Sequence, residues 1–205
     1  MKINLLCMLF FLCAWPCAAQ ESNLLQNPSF EGDPSEAAVP DAWLSCGTVL
    51  PDLQPGICKV NLLPNDGLSY CALMVSDSGG TTALCQALPG DGLAQGGRYH
   101  LEIYLARSEM YMKQQDDGSG ILIVVPIKLR VWGSNTPKER GELLAESGMV
   151  THTDWRKYSF DLAPADNTWK YFVLEAMYLE NRSFDYNGHL MIDQCLLEDQ
   201  ATGEK

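Results

Sequence analysis

The sequence predicts an all-β domain, a two-sheet antiparallel β-sandwich of the jelly-roll kind, and three observations predict it. Period-two alternation of apolar and polar residues dominates from residue 69 onward. The alternating runs are rich in β-branched and aromatic residues, and clusters of Gly, Pro, Asn and Asp separate them. With a run at 22–31 and a short piece near Trp43, about nine strands result, the range of a sandwich or jelly roll.

The elements follow in chain order. Residues 1–19, MKINLLCMLFFLCAWPCAA, read as a secretory signal: Lys2 is the positive start, Leu5 to Leu12 the apolar core, and Cys17 and Ala19 are small enough for a cleavage site. The apolar run is too short to span a bilayer, and no later run is apolar for long enough. Cleavage is expected after Ala19, which exports the chain to the periplasm, the cell surface or the medium. The alternative is a lipoprotein acylated on Cys17, although Ala14-Trp15-Pro16 is a poor approach to a lipidated cysteine. The folded domain is then 20–198, followed by a polar tail over 199–205.

The run NLLQNPSFEG (23–32) starts as a strand and breaks at Pro28, leaving Glu31 beside an aromatic and a glycine. Residues 33–68 and 108–120 are weakly patterned loops. Strands are predicted at SYCALMV (69–75), TTALCQAL (81–88), RYHLEIYLA (98–106), IVVPIKLRVW (123–132), WRKYSFDL (155–162), WKYFVLEAMYL (169–179) and HLMIDQCLL (189–197). SDSGG (76–80) reads as a hairpin turn, and Pro126 belongs at an edge or bulge. ERGELLAES (139–147) has some helical character but suits a strand equally well. No internal repeat is present.

Composition narrows the partners. The formal charge is −12, and one unit more negative once Lys2 leaves with the signal. Such a surface repels phosphate backbones, so nucleic acid is an unfavourable partner. Of eight cysteines, Cys7, Cys13 and Cys17 belong to the signal. Cys46, Cys58, Cys71, Cys85 and Cys195 remain, with no CxxC spacing for a zinc ribbon or redox site. Export permits disulfides. A hairpin centred on 76–80 sets Cys71 almost opposite Cys85, and Cys46 and Cys58 flank a Pro/Gly loop, so these are the two expected pairs. Cys195 is then a buried thiol. The competing reading is that all five are reduced small apolar residues.

Alternation also assigns faces. Tyr99, Leu101, Ile103, Leu105, Ile127, Leu129, Val131, Phe172, Leu174, Ala176 and Tyr178 share the core parity. The opposite parity carries His100, Glu102, Tyr104, Lys128, Arg130, Trp132, Tyr171 and Glu175, a mixture of aromatics with planar polar groups.

The order of pieces resembles the galactose-binding-like jelly roll, a superfamily that includes bacterial carbohydrate-binding modules and related cell-envelope domains. The likeness rests on NLLQNPSFEG, Trp43, NDGLSYCALMV, Cys85-Gln86-Ala87-Leu88, GGRYHLEIYLARS and NGHLMIDQCLLED, and covers nearly all of the chain after the signal. It implies a bacterial exported domain whose first and last strands pair, with a structural calcium where they meet. The implied carboxylate ligands are Glu31 and Asp193, with backbone carbonyls supplying further oxygens. Gln194 stands where a second Asp is common in the family. The competing reading is that Glu31 caps a turn and Asp193 accepts backbone N–H bonds.

Three functions are consistent with these residues. The first is a non-catalytic module for a neutral glycan, since C–H faces of sugars stack on aromatic rings and hydroxyls need planar donors and acceptors. Its ligand residues would be Trp132, Arg130, Tyr104, Glu102, His100, Tyr171 and Glu175, or else loop tips with Tyr111, Arg182 and Tyr186. The second is an envelope or adhesion domain that contacts protein through the same residues. The third is a glycosidase using Glu102 and Glu175 as a carboxylate pair. Against it stand the missing ExDxxE spacing and the absence of GxSxG, HExxH or GxxxxGK[ST].

Overall fold

The computed structural model describes residues 23–114, 120–123, 125–179 and 186–200. The expected signal peptide, Cys17, Arg182 and the end of the polar tail lie outside the described residues.

Twelve strands form in the described residues: β1 Leu44–Ser45, β2 Asp52–Gln54, β3 Tyr70–Val75, β4 Ala83–Ala87, β5 Tyr99–Arg107, β6 Met112–Gln114, β7 Gly120–Leu122, β8 Lys128–Ser134, β9 Glu142–Glu146, β10 Arg156–Leu162, β11 Tyr171–Met177 and β12 Gly188–Asp199. Sheet I has the order β10-β5-β12-β3-β2 and sheet II the order β1-β4-β11-β8-β9; β6 and β7 form a separate hairpin. All strand pairs are antiparallel. This is an all-β sandwich of two five-stranded antiparallel sheets, the jelly-roll architecture expected.

The predicted core parity holds. Leu101, Ile103 and Leu105 of β5, Leu129 and Val131 of β8, Phe172, Leu174 and Ala176 of β11, and Leu190, Ile192 and Leu197 of β12 all enter one buried cluster between the sheets. Residues two apart on a strand share a face, so each strand contributes its apolar half inward. Pro126 delays β8 to Lys128, because a residue without an N–H cannot donate to a central ladder. The ambiguous 139–147 run becomes the edge strand β9. Trp169 rests on Gly133 and Gly141, where any Cβ would collide with the indole.

The 22–31 run is not a regular strand, yet it does what a closing strand does. Leu24 N–H donates to the Leu197 carbonyl at 2.8 Å, and Cys195 N–H donates to the Pro28 carbonyl at 2.7 Å. The Asn23 side chain accepts from Leu197 N–H and donates to the Cys195 carbonyl. Asn27 then folds the chain over, its side chain accepting from Glu31 N–H and donating to the Glu31 carbonyl. The two ends of the domain therefore lie side by side.

The hairpin reading of 69–88 needs correction. The turn at 76–80 forms, with Ser76 N–H donating to the Gly80 carbonyl. Beyond it the strands part: β3 enters sheet I and β4 enters sheet II. Cys71 therefore faces the core while Cys85 faces outward from the other sheet. The expected Cys71–Cys85 and Cys46–Cys58 bridges are both replaced by Cys46–Cys85, with Cα atoms 5.9 Å apart. It staples the two-residue β1 to β4. Cys58, Cys71 and Cys195 stay outside any disulfide, and Cys71 and Cys195 are buried.

Candidate functional site

The seven expected ligand residues do not share one surface. His100, Glu102 and Tyr104 lie on β5, on the outer side of sheet I. Arg130, Trp132, Tyr171 and Glu175 lie on β8 and β11, in sheet II. Alternation reports which side of its own strand a residue occupies, not which sheet the strand joins, and the single face merged two outer faces.

On sheet II the polar groups satisfy one another. Trp132 Nε1 donates to Glu175 Oε2 at 2.9 Å, and Arg140 Nε donates to Glu175 Oε1 at 3.1 Å. Arg140 also donates to the Cys46 carbonyl at 3.0 Å, beside the disulfide. Trp132 and Tyr171 pack on a small cluster of Ala83, Cys85 and Val173. Glu175 is only 6% exposed. Removing one partner of so buried a pair costs about 3–5 kcal/mol, which makes this face a structural lock. Glu175 also stands on the opposite outer face from Glu102, so the two carboxylates form no catalytic pair.

Sheet I has a different outer side. A second apolar cluster of Val60, Tyr70, Ala106, Tyr111, Ile123 and Met191 covers part of it, with Trp155 and Leu62 packed against the cluster. Tyr111, from the run read as a 108–120 loop, thus packs on the outer side of sheet I. Tyr111 is fully buried, so it is no loop tip. Tyr186 is not one either, since its ring meets Tyr178 edge-on at 5.1 Å.

Between the 59–62 and 108–110 segments opens a cleft of about 490 Å³, lined by Lys59, Val60, Leu62, Ser108, Met110 and Met191 among others. The cross-strand register carries the floor onward. Met191 lies opposite Ala106, and Asp193 opposite Tyr104. Tyr104 in turn lies opposite Lys157, and His100 opposite Asp161.

This strip beyond the cleft is half-exposed and polar. Lys157 donates to Glu102 at 2.9 Å and stands 5.9 Å above the Tyr104 ring. The hydrogen bond from Lys157 holds the Glu102 carboxyl below its usual range. His100 Nδ1 is 2.9 Å from Asp161, and that hydrogen bond raises the imidazole above its ordinary value. Trp155 stands over Tyr70, edge to face at 5.2 Å, and its indole N–H donates to the Leu63 carbonyl. The sequence placed Trp155 only as the first residue of the strand WRKYSFDL and assigned it no role. Its parity with Lys157 and Ser159 was the available signal.

Glu31 and Asp193 meet on one loop. Asp193 Oδ2 accepts from Asn65 N–H at 2.7 Å and from Asp66 N–H at 3.0 Å, and its Oδ1 accepts from Gln194 N–H. Glu31 accepts from Leu68 N–H through both oxygens, at 3.0 and 3.1 Å. Gly67, at φ +67°, lets the loop pass beneath the Glu31 carboxylate, where a Cβ would collide with it. The donor set does not fit the implied calcium. Both carboxylates are turned on to N–H groups, and among the described residues no group of three or more His, Cys, Asp or Glu is placed to hold a metal ion.

No protein-family model matches the sequence, and no curated protein matches it. Solved structures do share the fold. A cyclase from Fischerella sp. TAU superposes with a TM-score of 0.53 at 12% identity, over 87% of this chain and 96% of that one. The CBM22-1 xylan-binding domain of Paenibacillus barcinonensis Xyn10C gives 0.52 at 13% identity, over 87% and 95%. An arabinose-bound GH51 α-L-arabinofuranosidase gives 0.57 at 16% identity; the match covers 87% of this chain but 26% of the enzyme. Binding modules and enzymes thus stand on the same scaffold, and the fold alone does not choose between them.

Proposed function

We propose that this is an exported, non-catalytic domain that binds a neutral glycan along the outer side of sheet I. The observation that carries the reading is the cleft of about 490 Å³ between 59–62 and 108–110. It continues into a strip bearing half-exposed Tyr104, Glu102 and His100 and exposed Lys157. Aromatic rings at Tyr104 and Trp155 offer surfaces for sugar C–H faces, and the Glu102–Lys157 pair offers an acceptor and a donor for hydroxyls. A structural neighbour described as xylan-binding supports the ligand class. The mutually satisfied groups around Trp132 favour leaving sheet II out of the site.

Titration of the exported protein with neutral xylo-oligosaccharides and arabinose, alongside a wider neutral glycan array, tests the reading. Tyr104→Ala and Trp155→Ala are each expected to weaken binding about fivefold or more, stacking on aromatic platforms being worth about 1–3 kcal/mol. Trp132→Ala is expected to leave affinity unchanged while lowering the melting temperature. Loss of binding with Trp132→Ala alone would move the site back to sheet II.

A further inference from the structure

Beneath Tyr111, which follows the cleft residue Met110 in the chain, lies a buried polar group that the protein does not satisfy. His189 is fully buried, and neither ring nitrogen has a hydrogen-bond partner. The Tyr111 ring covers it at 4.5 Å between centroids. The Tyr111 hydroxyl donates to the buried carboxylate of Asp52 at 2.6 Å. Gln54 follows Asp52 by two residues on β2, which puts it on the same side, and its Nε2 is also buried without a partner. His189 precedes Met191 by two residues on β12, and Met191 lines the open cleft. The visible cleft and the covered floor are therefore successive parts of one strand face.

Leaving buried donors and acceptors unpaired is unfavourable, because their hydration is lost and nothing replaces it. A ring carrying one hydroxyl, held on the Asp52 carboxylate, covers His189 here. A sugar ring would present the same kind of plate to this floor, with a hydroxyl for Asp52 and further hydroxyls for His189 and Gln54. We propose that Tyr111 is an internal plug that occupies a second glycan subsite formed by Asp52, Gln54 and His189. A polyhydroxylated ligand entering from the cleft displaces the phenol and satisfies the nitrogens that the plug leaves bare. The proposal rests on the glycan reading above and adds to it a hidden subsite and the residue that guards it.

The test is calorimetric titration with neutral xylo-oligosaccharides of increasing length, using wild type, Tyr111→Ala, Tyr111→Phe and the double variant Tyr111→Ala/His189→Leu. Wild type is expected to bind. Tyr111→Ala is expected to bind at least tenfold tighter, the double variant to lose that gain, and the His189 ring resonances of wild type to shift on ligand addition. If wild type binds and a folded Tyr111→Ala binds equally or more weakly, the plug is wrong while the glycan reading stands. If no form binds any glycan, both fall. Should Tyr111→Ala fail to fold, Tyr111→Phe decides: it keeps the ring and removes the Asp52 bond. A several-fold gain then supports the plug, and unchanged affinity overturns it.

Discussion

His189 is the residue at which chemistry and packing conflict most plainly. Burial lowers its imidazole to about 3, against about 6.5 in an unfolded chain. Below pH 6.5 the unfolded state takes a proton that the native state refuses. Stability is therefore lost as pH falls from about 6.5 towards 3, at about 1.4 kcal/mol per pH unit for this one group. Asp193 works the other way. Burial pushes its carboxyl up to about 6, so between about 6 and 3.9 falling pH favours the native state through that residue. His189→Leu removes the first effect and leaves the second. Urea unfolding at pH 5 and pH 7.5 should show the variant gaining on wild type at the lower pH. It should also be more stable there outright, because no unpaired nitrogen remains buried. Equal pH slopes for the two proteins would contradict the burial argument. A residue that lowers stability without a structural partner is what a ligand subsite looks like before its ligand arrives.

At the scale of elements, the strands were legible and their sheet membership was not. SYCALMV, RYHLEIYLA and HLMIDQCLL carry enough alternation to announce β3, β5 and β12 within a residue or two. The strands β2, β6 and β7 have three residues each, too few for a period to register. The turn at 76–80 was legible too, but a turn does not say whether its strands pair with each other or cross between layers. That ambiguity misassigned the Cys71–Cys85 pair, and the same silence of alternation about sheet membership merged the outer faces of β5 and of β8 and β11 into one candidate site. The bridge offers a direct check. Peptide mapping without reduction should recover Cys46 joined to Cys85, and a fragment joining Cys71 to Cys85 would refute the sheet assignment. Closing 39 residues of chain stabilises by about 2–4 kcal/mol. Cys46→Ser should lower stability by that order, whereas Cys58→Ser, at a half-exposed thiol, should cost much less.

Over the whole molecule, closure depends on the chain ends. The 23–28 segment is held to β12 by main-chain bonds, and Glu31 and Asp193 then grip the 65–69 loop from its two sides. Carboxylates on peptide N–H groups are charge-assisted bonds, roughly twice as strong as neutral ones. Glu31→Gln keeps the shape and removes the charge, so it should cost about 1–2 kcal/mol of stability. A calcium ion held here would instead need six to eight oxygens, and the N–H groups already occupy the carboxylate faces. Thermal melts in excess chelator and in millimolar calcium, at pH 7.5 where Asp193 is ionised, should therefore coincide. A melting temperature that rises with calcium, and a rise that Glu31→Gln abolishes, would show the clamp to be a metal site after all.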